Sequence, residues 1–235
     1  MDLVIAPFRT PQENILFDQV LFERADQGLG NDVLRFWESA QTFIVLGKTS
    51  DAQKESIIEN LKRDRIPVLR RVSAGGVVVQ SKGCLNFTLV LSKARYPLLA
   101  TIPSSYEFIL SNILLALKAL GIEGRFFPPC DLALGSDRRK FSGNAQRRGK
   151  RVILHHGTLL HHFDISLAEK YLAAPLKAPA YRQGRAHKDF MANINRDPQK
   201  IIQAISDIFK APRSSRQPDP QELAALDSLL ARSQD

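Results

Sequence analysis

Cysteine, tryptophan and methionine are scarce, with two, one and two residues in a chain of 235. The two cysteines, Cys84 and Cys130, are too few for a disulfide framework, and their spacing fits no zinc site. Such thin cysteine use predicts a reducing, cytoplasmic setting. No apolar run reaches the ~20 residues that a membrane-spanning helix needs. The start, Met1-Asp2-Leu3-Val4-Ile5, has neither the basic stretch nor the long apolar core of a secretory leader. A membrane partner is therefore not expected. Internal repeats and low-complexity tracts are also missing, which argues against solenoids and disordered arrays. Acid is the rarer charge: 24 Asp and Glu stand against 33 Lys and Arg, a net +9. That excess favours an anionic partner without choosing between nucleotide, nucleic acid, membrane surface and acidic protein.

What is present suffices for an ordinary core, since 44% of residues are hydrophobic. The spacing of apolar residues predicts a helix over 11–24, with Thr10 as N-cap, Pro11 at the first position and Glu13 at the third. Strands are expected over 32–38 and 42–46, then a helix over 52–64 capped by Ser50 or Asp51, and a short strand over 67–69. A second long helix is expected over 104–120, capped by Ser104 and closed by Gly121. Strands follow over 124–127, 131–134, 139–143 and 152–160, with Pro128-Pro129 as a break. A short helix toward 172, an irregular stretch over 175–185 and helices over 198–209 and 220–231 complete the chain. Strands and helices thus alternate irregularly. The pattern predicts an α+β fold, a mixed sheet flanked by helices, and not a doubly wound parallel sheet. One unit over 1–195 and a helical tail over 196–235 are the expected division.

Chemistry concentrates in residues 70–91. Arg70-Arg71 opens the stretch, and Ser73-Ala74-Gly75-Gly76 follows, a small-residue run where backbone can approach a ligand closely. Successive amides in such a run form an anion-binding concavity, and arginine adds a fixed fork of donors. Two β-type runs, 77–79 and 85–91, flank a turn at 81–83, so a β-hairpin holding an anionic small molecule is expected. A glycine-containing hairpin with surface arginines fits the same local pattern.

Residues 138–151 carry seven cations among fourteen and no acid. The run fits a nucleic-acid or acidic-protein patch. It fits equally a site in which Lys140, on the same strand face as Ser142, clamps a phosphate or carboxylate. His155 and His156 are adjacent on a strand and face opposite ways, so one is expected to line a site and the other to be structural.

Taken together, Arg70-Arg71-x-Ser73-x-Gly75-Gly76, Gly83-x-Leu85-Asn86-Phe87, Arg139-Lys140-Phe141-Ser142-Gly143-Asn144-Ala145-Gln146 and His155-His156-Gly157-Thr158-Leu159-Leu160 resemble the lipoate–protein ligase A family. That superfamily also holds octanoyltransferases and biotin–protein ligases. The resemblance covers about residues 10–190. It implies a largely antiparallel sheet and a catalytic domain of the biotin/lipoate ligase type. It implies that Lys140 is the catalytic clamp on the acyl carbonyl and α-phosphate, and that Arg71 binds nucleotide phosphates. Gly75, Gly76, Val77 and Val78 would line the acyl and nucleotide groove. Arg70, Ser73, Asn86, Ser142, Gly143, Ala145, His156 and Gly157 would complete the substrate and nucleotide set. The implied reaction uses ATP and Mg²⁺; Asp131 either orders the Lys140 strand or helps to hold a metal. Lipoate or octanoate becomes an acyl-AMP, and a lysine of a lipoyl acceptor domain takes the acyl group. Acceptors of this kind are a 2-oxoacid dehydrogenase subunit or the glycine cleavage H protein; nucleic acid is not the partner implied.

The sequence departs from the family pattern in three places. Ala74 replaces the first glycine, Gln80-Ser81 replaces His-Asp, and after about residue 196 only helices are expected, without a separate accessory domain. Compact members of the superfamily transfer octanoyl or lipoyl groups through a cysteine thioester without ATP. For that alternative Cys84 and Cys130 are the candidate nucleophiles, and nearby cations would favour a thiolate. A non-catalytic protein that binds a small molecule or nucleic acid is the third reading.

Overall fold

The computed structural model describes residues 1–233. Strand β1 (Asp2–Ile5) leads into helix α1 (Pro11–Asp26). Thr10 caps α1 as expected: its hydroxyl accepts from Glu13 N–H at 3.2 Å, and the Glu13 carboxylate accepts from Thr10 N–H at 2.7 Å. Strands β2 (Val33–Trp37) and β3 (Phe43–Leu46) follow. The single helix expected over 52–64 is two short ones, α2 (Ala52–Glu55), capped by Asp51, and α3 (Ile58–Arg63). Tertiary pairing breaks it. Ser56 is extended because it bridges to Leu172, and Ile57 N–H donates to the Tyr171 carbonyl at 2.9 Å.

Next come β4 (Val68–Arg70), β5 (Val78–Gln80) and β6 (Cys84–Ser92). Helix α4 (Ile102–Ala119) starts earlier than expected, because Thr101 and not Ser104 is the cap: its hydroxyl accepts from Ser104 N–H at 3.3 Å. After it lie β7 (Gly124–Phe127), β8 (Asp131–Leu134), β9 (Lys140–Arg148) and β10 (Val152–Leu160). The chain closes with α5 (Ser166–Tyr171), α6 (His187–Phe190), α7 (Pro198–Ile208) and α8 (Pro220–Arg232).

Seven strands form the main sheet in the order β1-β2-β6-β10-β9-β8-β7, parallel only between β1 and β2. A second sheet, β4-β3-β5, stands beside it. Helices α4 and α7 pack one face of the main sheet, where Ile109, Ile113, Ile201 and Ile205 meet Phe87 and Phe141. Helices α1 and α8 cover the other face through Phe17, Leu21 and Leu226. Among the described residues no helix is long and apolar enough to cross a membrane.

The expected β-hairpin over 77–91 does not form. Strand β5 pairs with β3, whereas β6 pairs with β2 and β10. Eight of the nine residues of β6 are buried, so it sits in the sheet interior with both edges taken. No edge is left for β5, and the turn at Gly83 carries the chain from one sheet to the other. Gly83 has φ +86°, and any Cβ there would collide with the His162 carbonyl.

Candidate active site

The gap between the two sheets is a cleft of about 780 Å³. The small sheet supplies Val45 and residues 75–80, and the large sheet supplies residues 86–88, 142–145 and 156–158. The irregular segment after α5 closes a third side with Leu176, Lys177, Arg182 and His187. Arg71, Gly75, Gly76, Val77, Val78, Asn86, Lys140, Ser142, Gly143, Ala145, His156 and Gly157 all reach this cleft, as do Cys84, Cys130 and Asp131. Residues more than a hundred positions apart are thus brought to one cavity.

Two expected site residues do not line it. Arg70 alternates with Arg71 along the chain and is exposed; its guanidinium donates to the carbonyls of Gly47, Lys48 and Ser50 at 2.7, 3.2 and 3.0 Å. It ties down the 47–50 loop. Ser73 is fully buried behind the cleft, where its hydroxyl accepts from Arg71 Nε at 3.0 Å and lies 2.6 Å from His156 Nε2.

Lys140 opens β9 and folds its ammonium back over the strand. Its Nζ lies 2.7 Å from Asp131 Oδ1 on the neighbouring β8. A Cβ at position 143 would sit 2.9 Å from that Nζ, so Gly143 is the floor on which the ammonium rests. The other Asp131 oxygen accepts from Tyr181 OH at 2.8 Å. Asp131 therefore has one contact on each oxygen, an ion pair with Lys140 and a hydrogen bond from Tyr181, and it orders the start of the Lys140 strand. Among the described residues no group of three or more His, Cys, Asp or Glu is placed to hold a metal.

Arg71 threads the glycine run. Its NH2 donates to the carbonyls of Ala74 and Gly76 at 3.1 and 3.0 Å. Burial lowers its pKa to about 10, which leaves it a cation at neutral pH. Gly75 takes φ +110°, and its carbonyl accepts from Ser50 Oγ at 2.9 Å. Ala74 is exposed and has no positive φ, which explains why a methyl group is tolerated where the family pattern has glycine. Gln80, in place of histidine, is buried in a reciprocal amide pair with Asn86 at 2.8 and 3.3 Å.

The two histidines separate as the strand geometry requires. His155 is fully buried on the α4 side, between Gln146 at 3.0 Å and Asn144 at 3.3 Å, and burial pushes its pKa to about 3. His156 faces the cleft. Gly157 is forced, since a side chain there would collide with the Asn144 carboxamide.

The cysteines do not behave as the basic stretches near them suggested. Burial raises the Cys84 thiol far above its ordinary range. For Cys130, burial and the Asp131 carboxylate raise it, outweighing the Lys140 ammonium. Both are free thiols, and neither is set up as a thiolate. The basic run over 138–151 is not one patch either. The nine-residue β9 holds its two cationic ends about 20–25 Å apart. Arg139 pairs with Asp137, while Arg148 and Arg151 are spent on the carbonyls of Ala100 and Gln27.

Sequence reasoning missed a buried ion pair under the cleft. Asp18 Oδ1 lies 2.5 Å from Arg35, whose guanidinium is enclosed by the rings of Phe8, Phe17 and Trp37. The signal was a charge inside an apolar strand, Val33-Leu34-Arg35-Phe36-Trp37. Tyr181 and Arg182 were missed because the segment that bears them has no periodicity.

A family model described as the lipoyl protein ligase A/B catalytic domain matches residues 10–209. A probable lipoate-protein ligase A of Mycoplasma pneumoniae is 29% identical over 170 residues, 72% of this chain and 48% of its own. A putative lipoate-protein ligase A of Aeropyrum pernix is 35% identical over 152 residues, 64% of this chain and 54% of its own. The chain spans about half the length of these curated relatives. Among solved structures, the bi-partite lipoate protein ligase of Thermoplasma acidophilum, studied with its E2 lipoyl domain, superposes with a TM-score of 0.84 at 19% identity, covering 98% of this chain and 92% of that one. A lipoate-protein ligase A bound with ATP gives 0.82 at 19% identity, with 98% and 94% covered. At such identities these structures speak for the fold, an α+β catalytic-domain architecture.

Proposed function

The chain belongs to the lipoyl protein ligase A/B catalytic-domain family, and from that premise we propose that it activates lipoate or octanoate with ATP and passes the acyl group to a lysine of a lipoyl acceptor domain. The observation that carries this reading is Lys140, held by Asp131 on the floor of Gly143 inside a cleft that also exposes Arg71 and an apolar wall of Val45, Val77 and Val78. Carboxylate and triphosphate are both anions, and their approach needs cations fixed in place beforehand. In the first step a carboxylate oxygen attacks the α-phosphorus and pyrophosphate leaves. In the second, the acceptor amine attacks the acyl carbonyl, AMP leaves and an amide forms. Lys140 stabilises charge on the α-phosphate and acyl oxygens in both steps, and Arg71 with the glycine run borders the acyl-nucleotide junction. Mg²⁺ would add positive charge at the triphosphate, and Asp131, a carboxylate lining the cleft, would be the residue placed to help hold it.

We further propose residues 1–195 as the catalytic unit, followed by α7, which completes its core, and α8, with the last two residues of the expected tail outside the described residues, and a cytoplasmic setting. The relative from Thermoplasma acidophilum, described with its E2 lipoyl domain, supports an acceptor of that class. The raised pKa values of the Cys84 and Cys130 thiols speak against the thioester route.

The test is ATP–pyrophosphate exchange dependent on lipoate or octanoate, followed by acyl transfer to an apo lipoyl domain. Lys140→Ala is expected to lower exchange by about 10²–10³, the usual worth of one oriented donor to a developing anion. Wild-type exchange in that variant would sink the assignment. An acyl adduct on Cys84 or Cys130 without ATP would replace it with the transferase.

A further inference from the structure

A chain of buried polar groups runs behind the glycine run and joins side chains that lie far apart in sequence. Arg71 Nε is 3.0 Å from Ser73 Oγ, and that oxygen is 2.6 Å from His156 Nε2. His156 Nδ1 is 3.6 Å from Asp18 Oδ2. Asp18 is gripped from behind, by Arg35 at 2.5 Å and by the Thr88 hydroxyl at 2.7 Å. Asp18, Arg35, Ser73 and Thr88 are all buried.

The charged ends of this chain favour one direction for its protons. A guanidinium N–H can only donate, so Ser73 Oγ accepts from Arg71. The one hydroxyl proton of Ser73 is then free for His156 Nε2. A neutral imidazole that accepts at Nε2 carries its proton on Nδ1, and Nδ1 faces Asp18. Burial opposes charge on Asp18, but Arg35, His156 and Thr88 hold its pKa below the ordinary carboxylate range, so it is an acceptor. The direction that satisfies both ends runs from Arg71 through Ser73 to His156, whose Nδ1 then turns its proton toward the Asp18 carboxylate across an electrostatic contact of 3.6 Å.

We propose that Asp18 and Ser73 are positioning residues, which fix the Nδ1–H tautomer of His156 and through it hold the Arg71 guanidinium across the glycine run. The run has few other ties. Lys48 N–H donates to the Ser73 carbonyl at 2.8 Å and Ser50 Oγ to that of Gly75. Arg71, spanning the carbonyls of Ala74 and Gly76, is what fixes its shape. Without the Ser73 acceptor, Nε is unanchored and the guanidinium is free to turn away from those carbonyls. The cleft wall that borders the acyl and nucleotide groups then loses its form. Asp18 never needs to touch the reacting atoms; its charge acts through the imidazole.

This inference deepens the ligase reading and rests on it only in its kinetic arm. The first measurement is the long-range ¹H–¹⁵N spectrum of the histidine rings in the full chain. Wild-type His156 is expected to carry its proton on Nδ1 with Nε2 bare. In Asp18→Asn, the carboxamide nitrogen faces the ring and the proton is expected to move to Nε2. An Nε2–H tautomer in the wild type overturns the proposal, and so does an unchanged tautomer in Asp18→Asn. The second measurement is pyrophosphate exchange by Ser73→Ala, whose KM for ATP is expected to rise about tenfold, the effect of losing one charge-assisted hydrogen bond, with a smaller change in kcat. A wild-type KM in that variant also overturns it. Absence of exchange in the wild type would count against the ligase reading alone, and the spectrum would still decide the relay.

Discussion

Gly143 shows how one residue position can set the reach of another. Lys140 has four flexible methylenes, and nothing in its own chemistry holds the ammonium over the strand. The missing side chain at 143 lets it fold back to Asp131, since a Cβ there would press on Nζ at 2.9 Å and on Cε at 3.0 Å. Gly143→Ala is therefore expected to push the ammonium off its carboxylate while leaving the sheet intact. Exchange activity should fall by about tenfold or more, yet less than in Lys140→Ala, with a thermal midpoint close to wild type. Equal activity in Gly143→Ala and wild type would show that the floor does not matter. Lys140 and Gly143 were legible in sequence because their three-residue spacing lies within one strand. Arg70 and Ser73 were misplaced because a motif gives proximity along the chain and not the side on which a residue falls. Arg70 faces the loop at 47–50, and Ser73 stands one layer behind the wall.

At the scale of elements, most boundaries set by caps and prolines were readable, the start of α4 at Thr101 and the break inside 52–64 excepted, and the partners of strands were not. Thr10 with Glu13, Asp197 with Pro198 and the Gly121 stop all rest on contacts within a few residues. The passage of β5 and β6 into different sheets depends on β2, β3 and β10, which no local pattern announces. The segment after α5 is the extreme case, with no period at all, and yet it brings Tyr181 to Asp131. Its ring stacks on Phe127 at 4.4 Å, and its hydroxyl donates to the carboxylate that holds Lys140. This segment is thereby latched to the catalytic strand. Tyr181→Phe keeps the ring and removes only the hydroxyl. A hydrogen bond to a charged acceptor is worth about 1.5–3 kcal/mol, so the denaturant midpoint should drop. Amide exchange over 173–185 should quicken more than elsewhere. Unaltered protection of that segment would show that the stacking alone holds it.

On the scale of the whole molecule, the helix–sheet–helix sandwich has a titratable group sealed into one of its interfaces. His155 lies between the main sheet and α4, against the rings of Phe87 and Tyr106, with no exposure. Burial, with His156 adding to it, holds its pKa at about 3, against 6.5 for an ordinary histidine. The unfolded chain takes up a proton there as pH falls through about 6.5, while the folded chain refuses it until about 3. Unfolding is thus coupled to proton uptake, and stability falls with pH across that window by up to about 1.4 kcal/mol per unit. The half-buried His187 is lowered by the same cause and acts with the same sign. Asp18 has the opposite charge type: its stabilisation is present above the ordinary carboxylate pKa of 3.8 and is lost only as pH falls below it. Between pH 4 and 6.5 the histidines therefore dominate. His155→Gln, which keeps a polar group between Gln146 and Asn144, should flatten the acid limb of a stability–pH curve in that interval. The measurement is the urea midpoint at pH 4.5 against pH 7 for both proteins. The wild type should lose more between the two than the variant, and parallel losses would show that His155 is not the group that titrates.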